Sequence, residues 1–310
     1  MRTGVAIALY NSIHFLKEQI DSLLAQTMLP DLIVCCDDGS SDGTVEWLKE
    51  YVQKRGCSDR FLLIENDVRL GYAQNFYKAL DFCDADLLFL CDQDDIWDPE
   101  KIRKMTEIFE KNQNIDLLAC AHTLINASGT PVSSMRYAQK TGSGSLTFLA
   151  AHDIVTRFNW PGMTLALRRT LWDEIKDSAK LIQAPHDRVL SLFAASKYTM
   201  AYFDLPLCAH RFHNSNSGGE ENDSSSYLRR AFKAKELSTS LQWLSAQLAH
   251  ASSFSADAQK ALTGYKKYIQ YRCEAVSSRK IWPLFKALQC KGYINLKGII
   301  ADFVSIVLNK

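Results

Sequence analysis

Leu87-Leu88-Phe89-Leu90-Cys91-Asp92-Gln93-Asp94-Asp95-Ile96-Trp97-Asp98 is the stretch around which this chain is organised. Its apolar run, Leu87 to Leu90, has the length and character of a buried strand. The chain then delivers Asp92, Asp94 and Asp95 within four positions. Pro99 follows, a residue suited to the first turn of a helix. Carboxylates crowded at the end of a core strand repel one another unless a cation joins them. Hard oxygen donors suit Mg²⁺ or Mn²⁺, ions typically held by one or two carboxylates plus substrate phosphates. On this segment alone a solvated acidic turn competes with a metal site.

The flanking sequence repeats one pattern. Val5 to Leu9 is a short apolar strand ending at Tyr10-Asn11-Ser12, where Ser12 can cap a helix carrying Phe15, Leu16, Ile20, Leu23 and Leu24. Leu32 to Cys36 is a second strand, followed by Asp37-Asp38-Gly39-Ser40-Ser41-Asp42-Gly43-Thr44 and a helix to about Lys54. Phe61 to Glu65 is a third, leading through Asn66 to Asn75 into a helix that ends near Cys83. Strands alternating with helices predict an α/β layered domain with a largely parallel sheet, whose ligands sit beyond the carboxyl ends of the strands. Every polar motif falls there, which favours a ligand site over loop polarity.

Composition narrows the classes. An apolar fraction of 47% and a charged fraction of 23% over 310 residues describe an ordinary folded protein. The net charge of +1 gives no sign of nucleic-acid binding, but its distribution is uneven. From Arg229 onward the chain holds 14 Lys or Arg against 4 Asp or Glu, leaving −9 on the residues before it. A basic tail of this kind faces an anionic partner, membrane lipid first, or is a solvated helical surface. The nine cysteines are scattered without a CxxC pair, which fits reduced core thiols in a cytosolic protein. The N-terminus enters a strand directly, so no signal peptide is expected. No apolar run reaches the ~18–20 residues of a membrane span. A cytoplasmic protein follows, free or peripheral on the inner face of the membrane.

Taken in order, Ala-Leu-Tyr-Asn (8–11), Asp-Asp-Gly-Ser-Ser-Asp-Gly-Thr (37–44), Asn-Asp-x-x-Leu-Gly-Tyr-Ala-Gln-Asn (66–75) and Asp-Gln-Asp-Asp-Ile-Trp (92–97) closely resemble the inverting family 2 glycosyltransferases, most of all their bacterial rhamnosyltransferase-type members. The strong likeness covers about residues 4–105, with shorter echoes to about 216. It implies a GT-A fold, Rossmann-like with a mostly parallel sheet flanked by helices, a nucleotide-sugar donor, and Mn²⁺ or Mg²⁺. By motif position Ala8, Tyr10, Asn11, Asp38, Gly71, Asn75 and Asp92 belong to the donor nucleotide, with Tyr10 and Asp38 at the base and Asp92 at the ribose. Asp94 would hold the metal, and Asp95 the sugar pocket. Tyr10 and Asn75 also read as packing or cap residues.

Downstream, Ile115 to Asn126 reads as another core strand, and Gly129 to Gly144 as a turn-rich acceptor or plain surface loop. Trp160, Gly162 and Met163 resemble the family segment lining the acceptor side of the donor sugar; glycine there permits close backbone approach. Arg168 and Arg169 read as the start of a solvated helix before a direct substrate role. Within Pro185-His186-Asp187-Arg188, Asp187 takes the place of the family's general base, with His186 beside it. From position alone Asp187 would be an acidic first-turn residue. Arg188 departs from the rhamnosyltransferase-like pattern, in which aromatic residues often follow the His-Asp pair. His213, at a strand end, is a candidate metal or diphosphate contact or a structural histidine; His210 and Arg211 are weaker alternatives.

Gly218 to Ser226 reads as a linker or lid. Helices follow at Tyr227–His250, Ala256–Val276, Trp282 to about Gln289, and Leu296–Leu308, with apolar and lysine residues mixed in the last two. They suit a membrane interface, packing on the catalytic domain, or a second subunit. The expectation is therefore a GT-A catalytic domain over 1–216 and a basic α-helical extension over 217–310. Its expected work is metal-dependent inverting transfer from dTDP-rhamnose, or next a UDP-sugar, to a glycan or lipid-linked acceptor in O-antigen or capsule synthesis. Two rivals stand beside it. A nucleotidyltransferase would usually carry a Gly-rich basic loop where Tyr10-Asn11-Ser12 stands. A non-catalytic nucleotide-sugar or membrane scaffold would not need Asp38, Asp92, Asp94 and Asp187 together.

Overall fold

β1 (Thr3–Leu9) and β4 (Leu87–Cys91) lie side by side in parallel register, Thr3 opposite Leu87 and Ile7 opposite Cys91, in a computed structural model. The structure describes residues 1–132, 142–157, 160–213 and 226–307. Beside β1 run β2 (Leu32–Asp37) and then β3 (Phe61–Glu65), both parallel to it. The expected parallel sheet holds for these four strands. Beyond β4 the sheet is mixed. β8 (Leu165–Arg168) is antiparallel to both β4 and β6 (Leu117–Asn126). β9 (Met200–Phe212) is parallel to β6 and carries β5 (Ile96–Trp97) and β7 (Leu146–Leu149) antiparallel.

Both sheet faces are covered, so the central strands are apolar on both sides rather than alternating with polar residues. Val5, Ile7, Ile33, Cys35, Leu87 and Phe89 face a layer built by α1 (Leu16–Leu24), α2 (Thr44–Lys54) and α4 (Lys101–Lys111). Ala6, Val34, Cys36, Leu88 and Leu90 face α3 (Tyr72–Phe82), α5 (Ala151–Arg157), α6 (Arg169–Leu181) and α7 (His186–Ser196). Each fully buried Val, Leu, Ile or Phe among these contributes about 1.5–3 kcal/mol. All nine cysteines are free thiols.

Two cap expectations change. Ser12 does not cap α1 with its side chain: its carbonyl accepts from Phe15 and Leu16 N–H, and its own N–H donates to Thr44 Oγ1 at 2.9 Å. Pro99 precedes α4 by two residues, and Asp98 organises that entry through Glu100 N–H.

The C-terminal helices are α8 (Ser226–Ala249), α9 (Ala256–Ser278), α10 (Trp282–Ala287) and α11 (Leu296–Val307). They continue the second layer: Leu244, Leu262 and Ile269 belong to the same buried cluster as Leu190 and Phe193 of α7. Phe254 meets Phe193 with ring centroids 4.6 Å apart. An ion pair between Arg272 and the fully buried Asp302, 2.5 and 3.1 Å, fastens α11 to α9. Residues 218–225 of the expected linker and the middle of the 129–144 loop lie outside the described residues, and Ser226 begins α8.

Candidate active site

The acidic turn after β4 is braced from three directions. Gln93 clamps the end of β1, accepting from Tyr10 N–H at 2.7 Å and donating to the Tyr10 carbonyl at 3.1 Å. Arg211, with no exposed surface, donates from its backbone to Asp95 Oδ1 at 2.8 Å and from Nε to the Asp94 carbonyl at 2.7 Å. Its guanidinium continues to Glu18 at 2.6 Å. Lys101, equally buried, donates to the Met163 carbonyl and lies 3.6 Å from the Trp97 ring centroid. The turn is thus a rigid loop with cationic groups behind it.

Asp94 points the other way. Its Oδ2 meets His213 Nε2 at 2.8 Å, and the His213 ring stacks on Phe15 with centroids 4.5 Å apart. Burial pushes the Asp92 carboxyl up to about 7, and repulsion from Asp94 and Asp187 adds to it, while the Met163 N–H and Lys101 oppose it. Asp95 is raised well above the carboxylate range by burial and by Asp92 and Asp94. Its Oδ2 is buried without a hydrogen-bond partner. Expected in the sugar pocket, Asp95 instead lies wholly beneath the turn.

A second wall of the cleft is built by the polar loops at the ends of β1 and β2. Asp37 bonds the N–H groups of Gly39 and Ser40 at 3.0 and 2.8 Å. Asp38 Oδ1 accepts from Leu70 N–H at 2.6 Å and Asn66 Nδ2 at 3.0 Å, and its Oδ2 accepts from Gly71 N–H at 2.8 Å. Gly71 takes φ 80°, a conformation that suits glycine. Asn75, also buried, donates to the Cys36 carbonyl at 2.8 Å and accepts from Asn66 at 2.9 Å. Both Asp38 and Asn75 therefore spend their polar atoms on shaping the loop. Asn11 (φ 49°) accepts from Ser41 N–H at 2.9 Å. Ala8 pairs with Cys36 on the partly buried edge of the core. Arg69 lies over the Tyr10 ring, 3.9 Å from its centroid, forming a flat, cationic rim.

Facing this is the start of α7. Asp187 occupies its first turn, and burial lifts the carboxyl to about 6 against the pull of the Arg188 charge. Arg188 lies 5.1 Å from the Trp243 ring centroid of α8. His186 is buried and stacked on Phe76 at 4.1 Å, with Tyr72 edge-on at 6.0 Å. Neither of its ring nitrogens has a hydrogen-bond partner, and burial lowers its pKa to about 3. A Cβ on Gly162 would stand 2.5 Å from His186 Nε2, so only glycine fits there without movement. Met163 is fully buried, turning its backbone rather than its side chain to the acidic cluster. Trp160 packs edge-on to Tyr202 at 6.1 Å.

The structure brings Asp92, Asp94, Asp95, His213 and Asp187 into one electrostatic neighbourhood and joins His186 to Gly162. Lys101 and Arg69 were not legible as site residues, since each acts through a long-range contact without a local motif; Gln93 stands in the 92–97 motif, but its clamp on Tyr10 was not legible there. Arg211, a weaker candidate in the sequence, is a buried brace behind the acidic turn. Among the described residues no three His, Cys, Asp or Glu side chains converge as a metal cage. The donor set of Asp94 and His213, with Asp92 beside it, fits an ion whose shell is completed by substrate phosphates.

The family model described as Glycosyl transferase family 2 matches residues 4–173, more than half of the chain. Among curated proteins, the putative glycosyltransferase EpsE of Bacillus subtilis is 27% identical over 128 residues, 41% of this chain and 45% of EpsE. The chain spans about half the length of the curated relatives it matches. Among solved structures, S. aureus TarS in complex with UDP-GlcNAc superposes with a TM-score of 0.58 at 14% identity, covering 94% of this chain and 92% of that one. The mannosyltransferase PcManGT of Pyrobaculum calidifontis, in complex with GDP-Man and Mn²⁺, gives 0.56 at 15% identity, covering 100% and 82%. These likenesses establish the GT-A fold, and with the family match over the motif-bearing residues, this chain belongs to glycosyl transferase family 2.

Proposed function

We propose that the protein is a metal-dependent inverting glycosyltransferase, moving a sugar from a nucleoside-diphosphate donor to a hydroxyl of a glycan or lipid-linked acceptor in bacterial surface polysaccharide assembly. The observation that carries this is the placement of Asp187 opposite the Asp92–Asp94 turn, close enough for their charges to interact. Residues 1–216 form the catalytic part and 217–310 the extension.

The reaction is a single displacement. Asp187 removes the acceptor hydroxyl proton while that oxygen bonds to the anomeric carbon. The bond from the anomeric carbon to the diphosphate oxygen breaks on the opposite face, which inverts the centre. A carboxyl held near 6 is largely ionised at neutral pH yet more basic than an ordinary aspartate. Asp94 and His213 would hold Mn²⁺ or Mg²⁺, which when bound supplies positive charge to the departing diphosphate. Ala8, Tyr10, Asn11, Gly71 and Asp92 line the donor side, with Asp38 and Asn75 shaping it from beneath. His186, Gly162 and Trp160 border the acceptor side.

The donor is a nucleotide sugar. The Asp92–Trp97 motif favours dTDP-rhamnose, whereas the neighbours above hold UDP-GlcNAc and GDP-Man. Thermal stability against UDP, GDP and dTDP, each with Mn²⁺, Mg²⁺ or chelator, decides between them. A ligand at a hundredfold excess over its Kd stabilises by about 2.7 kcal/mol. A metal-dependent shift with one nucleotide supports the reading, and none with any overturns it.

A further inference from the structure

The last two helices turn apolar side chains to solvent. Trp282 is 68% exposed, Phe285 53%, Leu296 62% and Ile300 61%, with Phe303, Val304 and Val307 also open. On α11 the wheel is ordered. At ~100° per residue, Leu296, Ile300, Phe303, Val304 and Val307 share one arc about 100° wide. Ile299, Asp302 and Ile306 occupy another arc and are buried. Asp302 is taken up by Arg272 of α9. The outward face of a packed helix, normally polar, is here an apolar stripe.

Its surroundings are cationic. Arg279, Lys280, Lys286, Lys291 and Lys297 are all exposed, and no Asp or Glu occurs between Ala275 and Ala301. The remainder of the chain is acidic, with −9 on residues 1–228, so an anionic surface attracts this end and repels the other.

We propose that α10 and α11 seat the protein on an anionic lipid bilayer, lying in its interface. No helix among the described residues is long and apolar enough to cross a membrane. The 12 residues of α11 span about 18 Å, short of the ~30 Å hydrocarbon core. Exposed aromatics beside lysines are the composition of an interfacial helix. A second copy of this chain fits less well, because a two-fold contact would set the same five cations against themselves. α9, which carries α10 and α11, also packs on α7, the helix that begins with Asp187. Seating would therefore hold the acceptor side of the site at a fixed height above the lipid. This last consequence rests on the proposed transfer to a lipid-linked acceptor; the binding does not.

The test is flotation of the full chain, without donor or acceptor, with phosphatidylcholine vesicles and with vesicles that also contain phosphatidylglycerol. The protein floats with the anionic vesicles and is released by salt. Lys286→Glu, Lys291→Glu and Lys297→Glu each weaken binding by about fivefold. Ile300→Ser with Phe303→Ser abolishes it, and an unchanged unfolding temperature shows that the fold survives. Absence of flotation on both compositions overturns the proposal. So does a concentration-dependent dimer in light scattering that the Ile300→Ser, Phe303→Ser protein cannot form. A chain that floats but transfers nothing keeps the membrane seat and loses the catalytic reading; the reverse result does the opposite.

Discussion

Arg188 lies over the ring of Trp243, 5.1 Å from its centroid, and so ties the residue next to Asp187 to a helix of the C-terminal extension. The Arg188 N–H also donates to Asp187 Oδ1 at 2.7 Å. The extension thereby takes part in setting the charge environment of the proposed base.

Removing that guanidinium leaves burial of Asp187 less opposed. Arg188→Met is expected to raise the acidic limb of the kcat/KM profile by about one pH unit. Arg188→Lys, which keeps the charge but loses the planar stack, falls between. An unchanged limb in Arg188→Met would remove Arg188 from the control of Asp187. The measurement is pH-dependent initial rate with the identified donor.

Asp187→Asn should lower kcat by about 10²–10⁴-fold while leaving the nucleotide-induced thermal shift in place. The same change alters stability. The folded carboxyl is raised to about 6, so its ionised form costs stability above that pH, and the cost vanishes below the unfolded value. Asp187→Asn is therefore more stable than wild type at pH 7.5 by on the order of 1–2 kcal/mol after allowance for partial solvent access. That advantage fades between about pH 6 and 4. Urea denaturation at several pH values checks the sign.

Asp94→Ala should abolish the metal-dependent part of donor binding, whereas His213→Ala weakens it and shifts preference from Mn²⁺ toward Mg²⁺, since imidazole is a less usual partner for Mg²⁺. Calorimetric titration of the nucleotide with each ion reads both effects. Equal affinity in metal and in chelator for the wild type would remove the ion from this site.

Asp38→Ala leaves the N–H groups of Leu70 and Gly71 and the Asn66 amide without their acceptor. A loss of about 2–4 kcal/mol in unfolding free energy follows. A variant as stable as wild type but deficient in nucleotide binding would instead assign Asp38 to the donor.

Gly162→Ala places a methyl group 2.5 Å from His186 Nε2. The imidazole must move, taking with it the ring stack on Phe76. KM for the acceptor should rise severalfold with the nucleotide thermal shift unchanged.

The order of the motifs, the four parallel strands and the helical C-terminus were legible because each depends on local pattern. Period-two and period-3.6 apolar spacing, and glycine where φ is positive, are written residue by residue. Asp94, Asp187 and His213 were identifiable as candidates from the family's order of motifs. Their environments were not. Lys101 carries no signal in the sequence and Arg211 only that of a weaker candidate contact, yet both are buried behind the acidic turn, because α4 and β9 bring them there.

By itself the sequence determined the family, the alternation of strands and helices up to Cys91 and which carboxylates crowd one turn. Only the tertiary structure decided that Asp38 and Asn75 hold a loop, that Asp95 is interior, that Trp243 reaches Arg188, and that α11 shows its apolar arc to solvent. Those outcomes depend on which distant element fills the remaining hydrogen bonds and surfaces. A linear pattern records the faces of an element, but not what is packed against them.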